Sequence, residues 1–332
     1  MNLCSDKLNE YNKLSAIQKN LYCYLDEYKN KKIVLLYSGN YDSHILFTAL
    51  CLFKDKLGLD FKVLHFVHGS NLSDKASMNI VQSQCVANQI EFEIVNAFIS
   101  NETQGRESRQ NFLKSNLKDD EFVVLTAHHL DDVVETFLIN LFNGTSYNGL
   151  SGISDNLKID GILYLRPFIY FNAYKKDLEF YKGRYMLPLD RAIPEFVEDA
   201  MNGNLSFKRN LVRDIINRSL RLFPFLKNKI IDFTLYAKQQ NNINVFCYKQ
   251  TDYLLNIANN SYSLSTVKHF LENNEDVMRN WFFILFKDKF KVNLTIRHFE
   301  EFKRFINDNA KIMSLPNNLK ITVAENVLVF SS

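Results

Sequence analysis

The chain has 332 residues, more than one domain usually contains, so two domains are expected. Hydrophobic residues make up 46%, enough for two cores, and the net charge of +3 means that a polyanion would have to be bound by local cationic patches. Five cysteines form no CxxC pair, which disfavours a zinc or iron–sulfur site and favours reduced thiols. With no signal-peptide pattern and no apolar run of about 18 residues, we expect a cytoplasmic protein without a membrane segment.

Extended apolar runs alternate with helical patterns through the first half, which is typical of an α/β fold. The predicted elements, in chain order, are strand 33–37, helix 41–56, strand 62–67, helix 74–88, strand 91–95, helix 104–117, strand 122–127 and helix 131–142. Ligands bind beyond the carboxyl ends of parallel strands, so the residues that follow Tyr37, Val67 and Ala127 are expected to share one crevice.

A turn of small and polar residues joins the first predicted strand to the first helix. It reads Ser38-Gly39-Asn40-Tyr41-Asp42-Ser43. Free backbone N–H groups, the positive end of the helix dipole and two hydroxyls make such a turn suitable for a phosphate. Phosphates would repel Asp42 unless a divalent cation or a cationic substrate lay between them. The alternative is an ordinary polar turn with a helix cap.

This turn resembles the PP-loop of the ATP pyrophosphatases, which usually reads Ser-Gly-Gly-x-Asp-Ser. Asn40 replaces the second glycine of that pattern. That glycine can adopt a left-handed conformation that lets the nucleotide approach, and asparagine is the best substitute for it, so we expect the phosphate grip to survive the replacement.

A second polar cluster follows the fourth predicted strand. It comprises His128, His129, Asp131 and Asp132, with Glu135 three residues after Asp132 on the next helix. Capping of that helix and packing of one histidine are the alternative explanations for single members of the cluster.

The segment 127–144, AHHLDDVVETFLINLFNG, and GLSGI at 149–153 resemble a signature of the tRNA(Ile)-lysidine synthase family. Further segments are similar to this family in the same order, namely 65–69 (with Val67 in place of an aspartate), 105–113, 165–169, 198–202 and 208–213. The resemblance covers a little over half of the chain. It implies a Rossmann-like parallel-sheet PP-loop domain followed by a smaller α+β C-terminal domain.

The resemblance also implies a reaction. Members of the family use ATP to adenylate the C2 carbonyl oxygen of the wobble cytidine in the tRNA(Ile) with a CAU anticodon. L-lysine then attacks C2, and AMP and pyrophosphate are released. The new carbon–nitrogen bond changes the codon that is read from AUG to AUA. ATP and Mg²⁺ are the implied cofactors.

The same resemblance implies roles for individual residues. The ATP phosphates are assigned to Ser38, Gly39, Asn40, Tyr41, Asp42 and Ser43, with Asp42 as the Mg²⁺ ligand. Arg106 and His128 would face charge developing on the α-phosphate. Asp131, Asp132 and Glu135 would hold the lysine ammonium, and one of them would take its proton; which one does so stays open. Contacts to RNA or substrate are assigned to Asp199, Asn202, Lys208, Arg209, Asn210 and Arg213.

From about residue 222 the pattern changes, which predicts one domain at 1–215 and a second at 222–332, with a helical linker at about 206–240. The resemblance implies that the first domain is catalytic and that the second orients the tRNA. The predicted elements of the second half are helices 226–239, 271–290 and 295–308, and a hairpin of 319–323 with 326–330. The aromatic residues of 281–286 and 299–305 recur at helical spacing, so we expect them in a core and not in base stacking.

Two other functions stay open. Another PP-loop tRNA-modifying ATP pyrophosphatase is disfavoured by the lack of CxxC and by the HHLDD string at 128–132. A non-catalytic tRNA-binding paralogue is favoured by the two departures from the pattern, Asn40 and Val67. The oligomeric state is also open, a homodimer being one alternative.

Overall fold

The computed structural model divides into two compact units, 1–234 and 235–332. It describes residues 15–67, 72–96, 102–117, 121–179, 208–258 and 261–331. The division falls inside the segment predicted as a helical linker, within one helix of 30 residues, Leu226–Leu255.

The first unit contains a six-stranded sheet of order β3-β2-β1-β4-β6-β5, in which only β5 is antiparallel to its neighbour. Its strands are β1 Lys32–Leu36, β2 Asp60–Val67, β3 Phe92–Asn96, β4 Phe122–Leu125, β5 Asn156–Ile159 and β6 Ile162–Leu165. Its helices are α1 Ala16–Asp26, α2 Tyr41–Leu57, α3 Leu72–Ala87, α4 Glu102–Asn116, α5 Leu130–Asn143, α6 Tyr147–Leu150, α7 Pro167–Tyr170, α8 Lys175–Glu179 and α9 Lys208–Ser219, followed by α10 Leu226–Leu255.

Both faces of this sheet are buried, as expected for parallel strands covered by helices. Ile33 and Leu35 of β1 pack with α1, α2 and α3 on one face, whereas Val34 packs with α4 on the other. A smaller core joins α5, α9 and the start of α10 through Val134, Val212 and other apolar side chains. The predicted α/β fold is therefore confirmed.

The predicted elements of the first half agree with the structure to within about two residues. The hairpin of β5 and β6 was not predicted, because its four-residue strands carry no long apolar run.

The second unit has a five-stranded antiparallel sheet of order β7-β8-β11-β10-β9. Its strands are β7 Asn256–Ala258, β8 Ser261–Ser263, β9 Ile312–Ser314, β10 Lys320–Ala324 and β11 Val327–Ser331, and its further helices are α11 Leu264–Asn273, α12 Glu275–Phe290 and α13 Ile296–Asn307. The predicted hairpin is β10–β11. The single helix predicted at 271–290 is instead two helices, which Asn274 separates because its backbone is not helical (φ −147°, ψ 54°).

The aromatic residues of the second unit form its core. Trp281, Phe282, Phe299 and Phe302 are completely buried, and the rings of Phe282 and Phe302 stack with centroids 4.8 Å apart. The prediction that these aromatic residues serve packing is confirmed. Among the helices of the described ranges, none combines the length and the apolar character needed to cross a bilayer.

Candidate active site

The carboxyl ends of β1, β4 and β6 lie side by side at one edge of the first sheet, since Leu35 pairs with Leu125 and Leu125 with Leu165. The PP-loop follows β1, and the histidine–aspartate cluster follows β4. The structure thus places these two predicted groups next to each other. The segment after β2, residues 68–71, lies outside the described residues.

The PP-loop turns at Gly39, which has a left-handed backbone (φ +79°). A Cβ atom at this position would lie 2.8 Å from the carbonyl oxygen of Ser77 in α3. Any other residue would therefore meet both backbone strain and a clash with main-chain atoms.

The left-handed conformation that the second glycine of the usual pattern can adopt is not found at Asn40. Its backbone is extended (φ −88°, ψ 169°), and it is the N-cap of α2. The left-handed turn is completed one residue earlier, at Gly39, so position 40 needs no glycine. Its side chain instead accepts a hydrogen bond from the Ser43 backbone N–H at 3.0 Å.

Two hydroxyls and one carboxylate complete the loop. Ser38 Oγ lies 2.9 Å from Ser43 Oγ, and Asp42 is in the first turn of α2 with 14% of its side chain exposed. The Tyr41 ring is buried, and its hydroxyl donates to the Leu178 carbonyl oxygen at 3.2 Å, so this side chain belongs to the core.

Asp42 also fits the usual coordination of Mg²⁺. This ion is typically held by one or two carboxylates together with substrate phosphates and water. Across the described ranges, no three His, Cys, Asp or Glu side chains are grouped to hold a metal by themselves. A single carboxylate beside a phosphate grip is the arrangement that suits Mg²⁺ shared with a nucleotide.

His129, which was not predicted as a site residue, stands at the centre of the carboxylates. Its Nε2 lies 3.8 Å from Asp42 Oδ2, and its Nδ1 lies 3.6 Å from Asp131 Oδ2 and 3.5 Å from Asp132 Oδ2. Only 7% of the side chain is exposed. The imidazole thus connects the PP-loop to the acidic start of α5. In the sequence, only its place beside His128 in the polar cluster indicated a role for His129.

Asp132 stays ionised in spite of its burial. Desolvation acts to raise its pKa, but His129, His128 and Arg209 and a hydrogen bond from the His129 backbone N–H, 3.0 Å long, outweigh it, so the pKa of Asp132 is lowered. A buried carboxylate at this position is therefore a fixed negative charge at neutral pH.

Asp131 is engaged by partners from other helices. The Lys227 ammonium at the start of α10 contacts Oδ1 at 2.5 Å, and the Lys175 backbone N–H donates to Oδ2 at 2.7 Å. The aspartate thus ties α5 to α8 and α10.

Glu135 has two guanidinium partners. Arg209 Nε donates to Oε2 at 2.8 Å, and Arg213 Nε donates to Oε1 at 2.5 Å. Only 5% of the Glu135 side chain is exposed. Arg209 and Arg213 are four residues apart on α9 and so share one helix face, which in this structure meets α5. Arg209 also lies 3.6 Å from Asp132 Oδ1.

His128 is neutral near pH 7. Burial, together with the charges of Arg166, Arg209 and Arg109, lowers its pKa to about 4 against the opposing effect of Asp132. Its Nδ1 is hydrogen-bonded to Thr126 Oγ1 at 2.8 Å. It can thus offer a phosphate a hydrogen bond but not a full positive charge.

Arg106 is exposed on α4, close to a second residue that sequence reasoning did not select. Burial, and then the charge of Arg106, lower the pKa of Arg166 at the end of β6. Arg166 is buried and donates from Nη1 to the Ser154 carbonyl oxygen at 2.7 Å. The sequence string at 165–169 suggested only a turn.

Two further predicted residues, Lys208 and Asn210, are not part of this cluster. Lys208 donates to Asn143 Oδ1 at 2.9 Å, at the far end of α5. Asn210 is buried on α9. Asp199 and Asn202 lie outside the described residues.

Comparison with known proteins identifies a family for most of this region. Residues 12–220, more than half of the chain, match the model of the PP-loop domain. The tRNA(Ile)-lysidine synthase of Wigglesworthia glossinidia brevipalpis is 30% identical over 215 residues, which cover 60% of this chain and 51% of that protein. That of Buchnera aphidicola subsp. Acyrthosiphon pisum (strain APS) is 26% identical over 232 residues, or 68% of this chain and 48% of that protein.

The chain spans about half the length of the curated relatives it matches. Among solved structures, the U34-tRNA thiolase NcsA from Methanococcus maripaludis with its [4Fe-4S] cluster aligns over 66% of this chain and 76% of that one, at 17% identity. Its TM-score of 0.48 is too low to carry an argument. The match of the family model to more than half of the sequence shows that the chain belongs to the PP-loop domain family.

Proposed function

We propose that the protein is a tRNA(Ile)-lysidine synthase, which ligates L-lysine to C2 of the wobble cytidine of tRNA(Ile) with a CAU anticodon. ATP would first transfer AMP to the C2 oxygen and release pyrophosphate. The lysine amine would then form the carbon–nitrogen bond and displace AMP. The names of the matched relatives support this reaction, and the family model supports the use of ATP.

One observation carries the proposal. Asp42 of the PP-loop and the two aspartates at the start of α5 surround the same imidazole, that of His129, at 3.5–3.8 Å. Lysine ligation needs a phosphate grip and a negatively charged place for an ammonium within one small site, and this arrangement supports both.

The PP-loop would hold the nucleotide through its hydroxyls and the backbone N–H groups at the start of α2. Asp42 would hold Mg²⁺, which supplies positive charge to the phosphates when it is bound. Arg106 and His128 would contact the α-phosphate, Arg106 by its charge and neutral His128 by a hydrogen bond.

The three acids predicted to hold lysine have different partners, and these differences suggest separate roles. Glu135 already binds two guanidinium groups, and Asp131 already binds the ammonium of Lys227. Among the described residues, Asp132 contacts one guanidinium, that of Arg209 at 3.6 Å, while its lowered pKa keeps it charged. We therefore assign the substrate ammonium to Asp132, with Glu135 positioning Arg209 beside it.

The test is a transfer assay with purified protein, ATP, Mg²⁺, labelled lysine and unmodified tRNA(Ile). Label should enter the RNA, with one AMP formed per lysine. The matched control is the same tRNA with uridine at the wobble position, which should accept no label. If there is no transfer to the CAU tRNA, the proposal is wrong.

The two alternatives predict other outcomes of this assay. AMP formation that depends on a different nucleophile would indicate another PP-loop enzyme. Binding of tRNA without any pyrophosphate release would indicate a non-catalytic paralogue.

A further inference from the structure

The Asn40 side chain accepts two hydrogen bonds inside the PP-loop. Its carboxamide oxygen accepts from the Ser43 backbone N–H at 3.0 Å and from the Ser43 hydroxyl at 2.7 Å. The Ser43 hydroxyl also lies 3.0 Å from the Asn40 carbonyl oxygen and 2.9 Å from Ser38 Oγ. One neutral oxygen of the chain thus faces two donors of the grip at once.

These two donors are among the groups that a bound phosphate would use. Phosphates bind at helix starts by accepting from the first backbone N–H groups and from nearby hydroxyls. Each N–H or O–H can donate one strong hydrogen bond, so a phosphate oxygen can take these donors only when the Asn40 oxygen releases them. A glycine at position 40, as in the usual PP-loop pattern, would leave both donors available.

We infer that the Asn40 carboxamide is an internal competitor of the nucleotide, which occupies the place of a phosphate oxygen in the empty loop and thereby sets the affinity for phosphoanhydrides. The inference rests on the proposed assignment of the loop to the ATP phosphates. Asn40 is exposed, so its side chain can rotate into solvent when a phosphate binds. The expected consequence is weaker binding of the nucleotide, and not a damaged loop, because the extended backbone of Asn40 fits the turn.

A simple helix cap is the competing explanation. The second unit contains such a cap with the same pattern. Ser263 Oγ accepts from the Thr266 backbone N–H at 3.3 Å and from the Thr266 hydroxyl at 2.8 Å. Ser263 and Thr266 therefore provide a matched pair in which the cap stabilises α11, a helix of the second unit.

The experiment measures, by calorimetry on the full chain, the binding of ATP with Mg²⁺ and of inorganic pyrophosphate with Mg²⁺. Asn40→Gly should tighten both by about three- to tenfold, the value of one or two neutral hydrogen bonds. Asn40→Asp should weaken both, because the carboxylate keeps the internal contact and repels the phosphate. The thermal midpoint of Asn40→Gly should stay equal to that of the parent or fall slightly, since a cap has been removed.

Tighter binding together with unchanged or lower stability is a combination that a pure cap cannot produce. Ser263→Gly is the control. It should lower the thermal midpoint and leave both affinities unchanged. If the parent binds the two probes and Asn40→Gly binds them equally or more weakly, the inference is wrong.

Two other outcomes separate this inference from the proposed function. If neither the parent nor Asn40→Gly binds either probe, the ATP site itself is wrong and the inference falls with it. If the affinities follow the expected order and lysine transfer is absent, the inference stands and lysine ligation is the part that fails.

Discussion

Two helices of the first unit begin in the same way after neighbouring parallel strands, but their starts are chemically different. At the start of α2, Asn40 and Ser43 satisfy each other through neutral hydrogen bonds within four residues. At the start of α5, His129 and Asp132 pair at the same i,i+3 spacing but in the opposite direction, since the His129 backbone N–H donates to the Asp132 carboxylate. The nearby carboxylates of Asp131 and Glu135 have cationic partners 74 to 96 residues away.

The difference follows from the cost of burial. A neutral N–H or hydroxyl group, such as those of the buried Ser43, is satisfied at low cost by one local oxygen, here that of Asn40. A buried carboxylate without a counter-ion is much more costly, so Asp131 and Glu135 require Lys227, Arg209 and Arg213. The start of α2 is therefore suited to exchanging its hydrogen-bond partners for a ligand, whereas most carboxylates at the start of α5 are held in a fixed ionic framework.

The largest expected effect comes from replacing Asp42, the charged residue in the first turn of α2. Asp42→Asn keeps the shape and removes the charge that would hold Mg²⁺. We expect ATP-dependent AMP release to fall by about two to four orders of magnitude, while tRNA binding stays within about threefold of the parent. Release of AMP in the presence of tRNA and lysine, and tRNA binding by filter retention, measure the two effects.

Asp26→Asn is the matched control, since Asp26 forms an exposed pair with Lys29 at 2.9 Å. It should leave both measurements unchanged. Equal activity of Asp42→Asn and the parent would remove Asp42 from the nucleotide chemistry, and the contrast between the two helix starts would lose its functional meaning.

Glu135→Gln tests whether the start of α5 is an ionic framework. The amide keeps the volume but leaves Arg209 and Arg213 without their shared carboxylate. We expect the free energy of unfolding to fall by about 2–3 kcal/mol, the low end for a buried pair because both guanidinium groups reach solvent. Urea unfolding followed by circular dichroism measures it.

The control for this variant is Asp214→Asn, which breaks the exposed Arg218–Asp214 pair on α9. Its effect should stay below about 0.5 kcal/mol. A similar small loss for Glu135→Gln would mean that α5 and α9 are held by their apolar contacts alone.

The sequence was sufficient to predict the elements whose structure depends on neighbouring residues. The strands β1 to β4 and helices α2 to α5 were placed because apolar periodicity over short windows decides them. The left-handed residue of the PP-loop could not be located in this way. It is Gly39, which lies so close to Ser77 of α3, 38 residues further on, that an added Cβ would clash. The different roles proposed for Asp131, Asp132 and Glu135 depend on Lys227 and on the arginines of α9. No local pattern in the sequence relates those partners to α5.

The burial of His128 before α5 should make the stability of the fold depend on pH. The unfolded chain protonates this histidine below about pH 6.5, whereas burial in the folded chain delays protonation to about pH 4. Unfolding therefore takes up a proton between these values, and stability falls as the pH decreases through that window. We expect His128→Gln to remove about 2 kcal/mol of this loss between pH 6.5 and pH 4. Urea midpoints at several pH values measure it, and parallel curves for parent and variant would contradict it.

The smallest expected effect concerns the ion pair between Asp131 and Lys227, which links α5 to the start of α10. A double-mutant cycle with Asp131→Asn and Lys227→Met should give a coupling of about 1 kcal/mol, because both side chains are partly exposed and the Lys175 N–H continues to satisfy the aspartate. The same variants distinguish a structural pair from a substrate contact. If Asp132 holds the lysine ammonium, Lys227→Met changes stability but leaves the KM for lysine unchanged. A fall in that KM would mean that Lys227 competes with the substrate for Asp131, and the exchange of partners would then be a property of both helix starts and not of α2 alone.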